Sequence, residues 1–155
     1  MLVRANNQKI FSGLKQLEAF IGNTPLYPIK AFPLPDKVKL YAKLEWYQLG
    51  NSVKARPAFN IFKQAIRNGE FDNPERHLLD ASSGNTGVAY GAIGAALGIP
   101  VTLCLPENAS PIKQAALKAH GVNIIYTSKF DATDGAQEKA LELSQENPEL
   151  YYYAD

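Results

Sequence analysis

Two stretches of this chain carry residues that could do chemistry. One is Ser82-Ser83-Gly84-Asn85-Thr86-Gly87. The other is Lys54, within Gly50-Asn51-Ser52-Val53-Lys54-Ala55-Arg56. The first follows the apolar run Leu78-Leu79-Asp80-Ala81, which reads as a buried strand, and precedes an Ala- and Gly-rich stretch, 85–97, that reads as a helix. In a strand-to-helix turn the first backbone N–H groups lack intrahelical acceptors, and the helix dipole favours negative charge. Gly84 and Gly87 let the backbone come close to a ligand. Ser82, Ser83, Asn85 and Thr86 add hydroxyl and amide groups at the same place. The turn is suited to a small carboxylate or phosphate. Lys54 stands at a predicted helix start, where the dipole disfavours a cation by about 0.3–1 kcal/mol. That is too little to make the amine a nucleophile at neutral pH; burial or a bound cofactor must do the rest. Read singly, Lys54 is a solvated lysine and the serine turn a well-capped loop.

The elements that must position these residues alternate along the chain. A short helix is expected over 11–20, a turn at Gly22-Asn23-Thr24-Pro25, and strands over 26–29 and 38–44. A helix then runs from about Val53 to Asn68, with Ala58, Ile61, Phe62, Ala65 and Ile66 on one stripe. Pro57 is tolerated only near its first turn, so regular helix begins after Lys54. Strands at 78–81, 101–105, 122–126 and 150–153 alternate with helices at 85–97, 111–120 and 131–145. Ser110-Pro111 reads as an N-cap followed by an N1 proline. This order predicts an α/β fold: a parallel sheet with right-handed crossovers and helices on both faces. The small residues Ala89, Gly91, Ala92, Gly94 and Ala95 read as close packing of a helix on that sheet.

The bulk numbers exclude several classes. The chain has 155 residues, 46% hydrophobic and 20% charged, with a formal net charge of +1. That is the balance of a soluble globular protein without a basic stripe for nucleic acid. No apolar run approaches the roughly 20 residues that span a bilayer, and residues 1–7 lack the apolar core of a signal peptide. A cytoplasmic location is the expectation. The one cysteine, Cys104, reads as a buried core thiol. His77 and His120 stand apart, in structural or surface roles, and no spacing suggests a metal site. Trp46 and Tyr47 are expected in the core, with shielding of the Lys54 loop as the alternative.

Several motifs occur together in order: Ile21-Gly22-Asn23-Thr24-Pro25-Leu26, Leu40-Tyr41-Ala42-Lys43-Leu44-Glu45, Ser52-Val53-Lys54, Ser82 to Gly87, and Leu105-Pro106-Glu107-Asn108-Ala109-Ser110. This arrangement resembles the fold-type II pyridoxal-phosphate enzymes, and within them the cysteine synthase and cystathionine β-synthase group, from about Ile21 to Asp155. The resemblance implies a three-layer αβα small domain of the tryptophan synthase β-like fold. It implies pyridoxal phosphate as cofactor, held covalently by Lys54, with Asn85 bonding the cofactor's 3′-oxygen. Ser82, Ser83, Gly84, Asn85 and Thr86 would hold the α-carboxylate of a small amino-acid substrate. Lys54 and the 82–87 bend would converge on one cofactor ring. Lys54, once released, would remove the α-proton, and a sulfide or thiol would replace the leaving group of an O-activated serine to give cysteine or a relative.

The same resemblance marks departures. Asn51 stands where the family usually has Gly, Leu49 where it has Pro, and Ala55 where an Asp commonly follows the lysine. Ala109-Ser110-Pro111-Ile112-Lys113 replaces a common Met-Ser-x-Glu-Arg. These changes fit either a divergent subgroup or a non-catalytic relative. Family members are about twice as long, and a second half normally supplies a Gly/Thr-rich phosphate loop. The chain is therefore expected to be an N-terminal half. Residues 1–45 would belong to an incomplete larger domain, and 46–155 would form the small one. The full form is expected to be a homodimer, and these 155 residues alone are expected to hold cofactor weakly and turn nothing over. The alternatives are a truncated interaction module and a serine or threonine dehydratase-like enzyme.

Overall fold

Leu78 and Leu79 are neighbours in sequence, and both are fully buried. Successive strand side chains point to opposite faces, so the strand that holds them is covered on both sides. The computed structural model describes residues 2–154, with side chains from Gln8 onward. In chain order the elements are α1 (Leu2–Glu18), β1 (Leu26–Ile29), β2 (Leu40–Lys43), a 3₁₀ turn (Glu45–Tyr47), α2 (Ala55–Arg67), β3 (His77–Ala81), α3 (Asn85–Leu97), β4 (Val101–Pro106), α4 (Pro111–Ala119), β5 (Asn123–Thr127), α5 (Ala132–Glu146) and β6 (Tyr151–Tyr153).

The last four strands form one parallel sheet in the order β5-β4-β3-β6. Leu78 pairs with Val101, and Thr102 with Asn123. Leu78, Leu103 and Leu105 pack in one cluster with Phe62 of α2, Ile93 of α3 and Leu117 of α4. Leu79 and Cys104 pack on the other side with Ala136 and Ala140 of α5. The fold is thus α/β, with helices on both faces of a parallel sheet. Glycines on α3 make its close approach possible. A Cβ at Gly94 would lie 2.5 Å from Val101 Cγ2, and one at Gly91 2.8 Å from Val122 Cγ2. α1 lies against α2 and α3 and buries Ile10 and Leu14. An ion pair from Lys63 to Glu18 adds to that contact.

β1 and β2 form a separate antiparallel hairpin, with Leu26 opposite Lys43 and Ile29 opposite Leu40. Most of its side chains are exposed. Three expectations change. The first helix starts at Leu2, well before residue 11, and ends at Glu18. Its stripe of Ile10, Leu14 and Leu17 meets the main core and carries the helix past Asn6 and Asn7, whose propensity is low. β2 is shorter than 38–44. Trp46 and Tyr47 are not core residues: they are 60% and 65% exposed and stack on each other at 6.1 Å. The 3₁₀ turn directs both away from the buried face that holds Gln48.

Cys104 is buried, and that burial pushes its thiol up to about 11, as expected of an inert core thiol. His77 is held to a structural place: its Nδ1 lies 2.7 Å from the Oγ1 of buried Thr102.

Candidate active site

Lys54 is the N-cap of α2, and its side chain is exposed. The segment leading to it is a train of tight turns. The Gln48 N–H donates to Glu45 O, Asn51 N–H to Gln48 O at 2.8 Å, and Lys54 N–H to Ser52 Oγ at 3.2 Å. Gly50 and Asn51 adopt φ of +76° and +57°. Only glycine enters that region freely, and asparagine is among the few residues that follow. Asn51 therefore keeps the backbone shape the position demands. Gly50 is also closely packed: a Cβ would lie 3.2 Å from the Cα of Ala89, tight enough that one of the two must give by a few tenths of an ångström. That contact seats the lysine loop on the second turn of α3. Ala55 is fully buried, so an apolar residue avoids the desolvation that an aspartate would suffer there.

The serine turn lies at the carboxyl end of β3 and opens α3, the edge where open α/β sheets bind ligands. Gly84 is the N-cap of α3, and a Cβ there would meet nothing within 4 Å. The backbone at that point faces open space. Ser82 Oγ accepts the Gly87 N–H at 2.9 Å. Its own hydroxyl proton is then left to donate outward. A Cβ at Gly87 would lie 2.5 Å from the Ser82 carbonyl oxygen, so the turn closes as tightly as it does only with glycine. The Lys113 ammonium of α4 donates to Asn85 Oδ1. The amide is thereby turned so that Nδ2 remains as its donor group.

The five turn residues are together, and Lys54 sits on the neighbouring helix start, linked to them through Gly50 on Ala89. Lys54, Gly84 and Asn85 are exposed, whereas Ser82, Ser83 and Thr86 are half-buried. Concavities also lie elsewhere, one along Tyr126, Asp131 and Lys139 and another between Gly13 and Gly98. Among the described residues no group of three His, Cys, Asp or Glu side chains could hold a metal.

Residues 17–155 match the family described as Pyridoxal-phosphate dependent enzyme. The chain belongs to this family. It is 42% identical over 138 residues to the cysteine synthase of Aquifex aeolicus, covering 87% of this chain and 42% of that protein. It is 34% identical to the O-acetylserine dependent cystathionine beta-synthase of Bacillus subtilis, covering 89% and 45%. Among solved structures it superposes on the cysteine synthase of Entamoeba histolytica with a TM-score of 0.82 at 33% identity, covering 89% of this chain and 42% of that one. It also superposes on the O-acetylserine dependent cystathionine beta-synthase of Helicobacter pylori, with a TM-score of 0.77 at 28% identity, covering 88% and 45%. The chain spans a little under half the length of these relatives.

The donor set fits the aldehyde and 3′-oxygen side of the cofactor that the family name specifies, with no residue of this set left for its phosphate. An exposed primary amine suits an aldehyde carbon. The open N-terminus of α3, with hydroxyls at 82, 83 and 86 and a directed amide at 85, suits a carboxylate and a phenolic oxygen.

The sequence reading missed what holds the lysine segment. Glu45 accepts from Arg56 Nε at 3.0 Å, Arg56 Nη2 at 2.8 Å, Thr24 Oγ1 at 2.7 Å and Gln48 Nε2 at 3.1 Å. Arg56, Thr24 and Gln48 together hold its carboxyl down at about 2, against the desolvation that opposes them. An Arg able to fork onto a Glu, two positions after the lysine, was the available signal.

Proposed function

We propose that this chain supplies the lysine-bearing and carboxylate-binding part of a cysteine synthase-like enzyme. The reaction is β-replacement on an O-activated serine with sulfide or a thiol, and the product is cysteine or a relative. The supporting observation is the seating of Gly50 on Ala89, which puts the segment carrying Lys54 against the helix whose start is built for oxyanions.

Bound pyridoxal phosphate supplies an electron sink for the pair left behind when the α-proton departs. In this reading Lys54 Nζ would hold the cofactor's aldehyde carbon, and the same amine would take the substrate's α-proton. The Ser82, Ser83 and Thr86 hydroxyls and the first N–H groups of α3, at Gly84 and Asn85, hold the substrate carboxylate. Asn85 Nδ2 would donate to the cofactor's phenolic 3′-oxygen, and Lys113 keeps that amide turned.

The proposal extends to organisation. The expected boundary at 45 shifts: the hairpin over 26–43 contributes to a larger unit, and 46–155 form the smaller one with α1 packed on its α2 and α3. The exposed hairpin supports this division. A cytoplasmic homodimer, classed as a transferase or lyase, is the corresponding full form.

The test is to incubate the chain with pyridoxal phosphate, reduce with borohydride and map the modified lysines by mass spectrometry. Modification concentrated on Lys54, and absent in Lys54→Ala, is expected. Even modification of all surface lysines counts against the reading. In a longer protein carrying these residues, sulfide-dependent cysteine formation should exceed keto-acid release from serine.

A further inference from the structure

The segment from Glu45 to Arg56 begins and ends on the same side-chain pair. Arg56 places its guanidinium fork on both oxygens of Glu45, eleven residues back. Between them the chain makes turn after turn: Gln48 to Glu45, Asn51 to Gln48, Ala55 to Ser52 and Arg56 to Val53. The result is a small closed loop of the kind whose ends meet and whose interior is filled by its own side chains. Gln48, 2% exposed, fills it and donates to Glu45 Oε2.

The knot is also tied to the turn at residues 22–24. Gly22 N–H donates to Gln48 Oε1 at 3.1 Å, and buried Thr24 donates its hydroxyl to Glu45 Oε1. The Lys43 ammonium reaches the Thr24 carbonyl oxygen. The guanidinium lies over Gly22, where a Cβ would come within 3.2 Å of Nη1. One carboxylate therefore fastens two ends of a loop and a neighbouring turn.

We propose that Glu45 is a positioning residue for Lys54. Its carboxylate closes the 45–56 loop and so fixes the backbone from which the amine projects. Lys54 lies inside the loop, two residues from its closing point, and has exposed Val53 on one side and buried Ala55 on the other. The four-stranded sheet is packed in two clusters that do not include Glu45. Loss of the carboxylate frees Arg56, Gln48 and Thr24 together and loosens residues 48–56, while the sheet keeps its order. The proposal rests on Lys54 as the cofactor-binding amine.

The experiment has two arms, each run on wild type, Glu45→Gln and Arg56→Lys. Arg56→Lys keeps the charge but loses the fork. The first arm measures amide hydrogen exchange in the chain without cofactor. Exchange at Asn51, Ala55 and Arg56 is expected to speed up about tenfold or more in both variants, the scale of losing a hydrogen bond to a charged group, while Leu79, Leu103 and Cys104 stay protected. The second arm measures how fast pyridoxal phosphate with borohydride labels Lys54 relative to the other lysines, and a drop of about tenfold is expected. Unchanged exchange over 48–56 overturns the proposal. So does faster exchange with labelling at the wild-type rate, since the order would then be irrelevant to the amine. Deprotection of β3 and β4 in both variants overturns it as well, by making the carboxylate a support of the whole fold. If wild type is not labelled at Lys54, the cofactor reading fails instead, and the exchange arm still decides whether Glu45 closes the loop.

Discussion

The carboxyl of Glu45 titrates low because Arg56 and then Thr24 and Gln48 donate to its ionised form. A depressed carboxylate stabilises the fold above its unfolded pKa, near the ordinary 4.5, and that contribution is lost as pH falls through the folded value of about 2. The difference in melting temperature between wild type and Glu45→Gln should be constant from neutral pH to about 4.5 and shrink from there toward 2. Other carboxylates titrate in both proteins, so the difference isolates this one. A gap that persists unchanged at pH 2.5 would mean that the charge of Glu45 contributes nothing. The pair is partly exposed, so added salt should narrow the gap at neutral pH as well. Asn51 gives a second prediction at this scale. With φ at +57°, Asn51→Gly should leave the melting temperature nearly unchanged, while Asn51→Ala should cost about 1–2 kcal/mol in chemical denaturation. Equal effects of the two would mean that the left-handed conformation is not what the position requires.

At the level of elements, the alternation of strands and helices from residue 77 onward was legible because parallel strands here are short apolar runs bounded by Gly and Pro. Gly98 and Pro100 between α3 and β4 are the clearest case. The serine turn was legible for the same reason, since its residue types are those a strand-to-helix junction uses. Two things were not. The early start of α1 depends on Ile10 and Leu14 finding α2 and α3, which local propensity does not record. The Glu45 knot joins Glu45 and its near neighbour Gln48 to residues 24 and 56, which are 21 and 11 positions away and meet it only on folding. Trp46 and Tyr47 were misplaced because aromatic content alone does not say which way a 3₁₀ turn faces. The junction itself yields a test. In Gly87→Ala the new methyl meets the Ser82 carbonyl at 2.5 Å and Leu103 Cδ1 at 2.9 Å. Backbone must move, at about 1–3 kcal/mol. Because Ser82 also accepts the Gly87 N–H, the same shift spreads the serine turn. Denaturant unfolding should show the loss. A variant as stable as wild type would mean that the turn relaxes without strain.

For the whole molecule, the uneven distribution of apolar surface matters most. The central strands β3 and β4 are covered on both faces, whereas the β1–β2 hairpin shows Leu26, Tyr27, Leu40 and Tyr41 to solvent, with Trp46 and Tyr47 exposed just beyond β2. A two-stranded hairpin is marginal by itself, and open edges and apolar patches of this kind pair with other surfaces. The 155-residue chain should therefore self-associate as concentration rises and should bind an apolar dye. Tyr27→Lys combined with Tyr41→Lys should reduce both, as read by sedimentation velocity and dye fluorescence. Because the two side chains are exposed, each change should move stability by only about 0.5 kcal/mol. A steep fall in melting temperature would show instead that the hairpin packs on the rest of the chain in solution. Unaltered association would place the sticky surface on another part of the molecule.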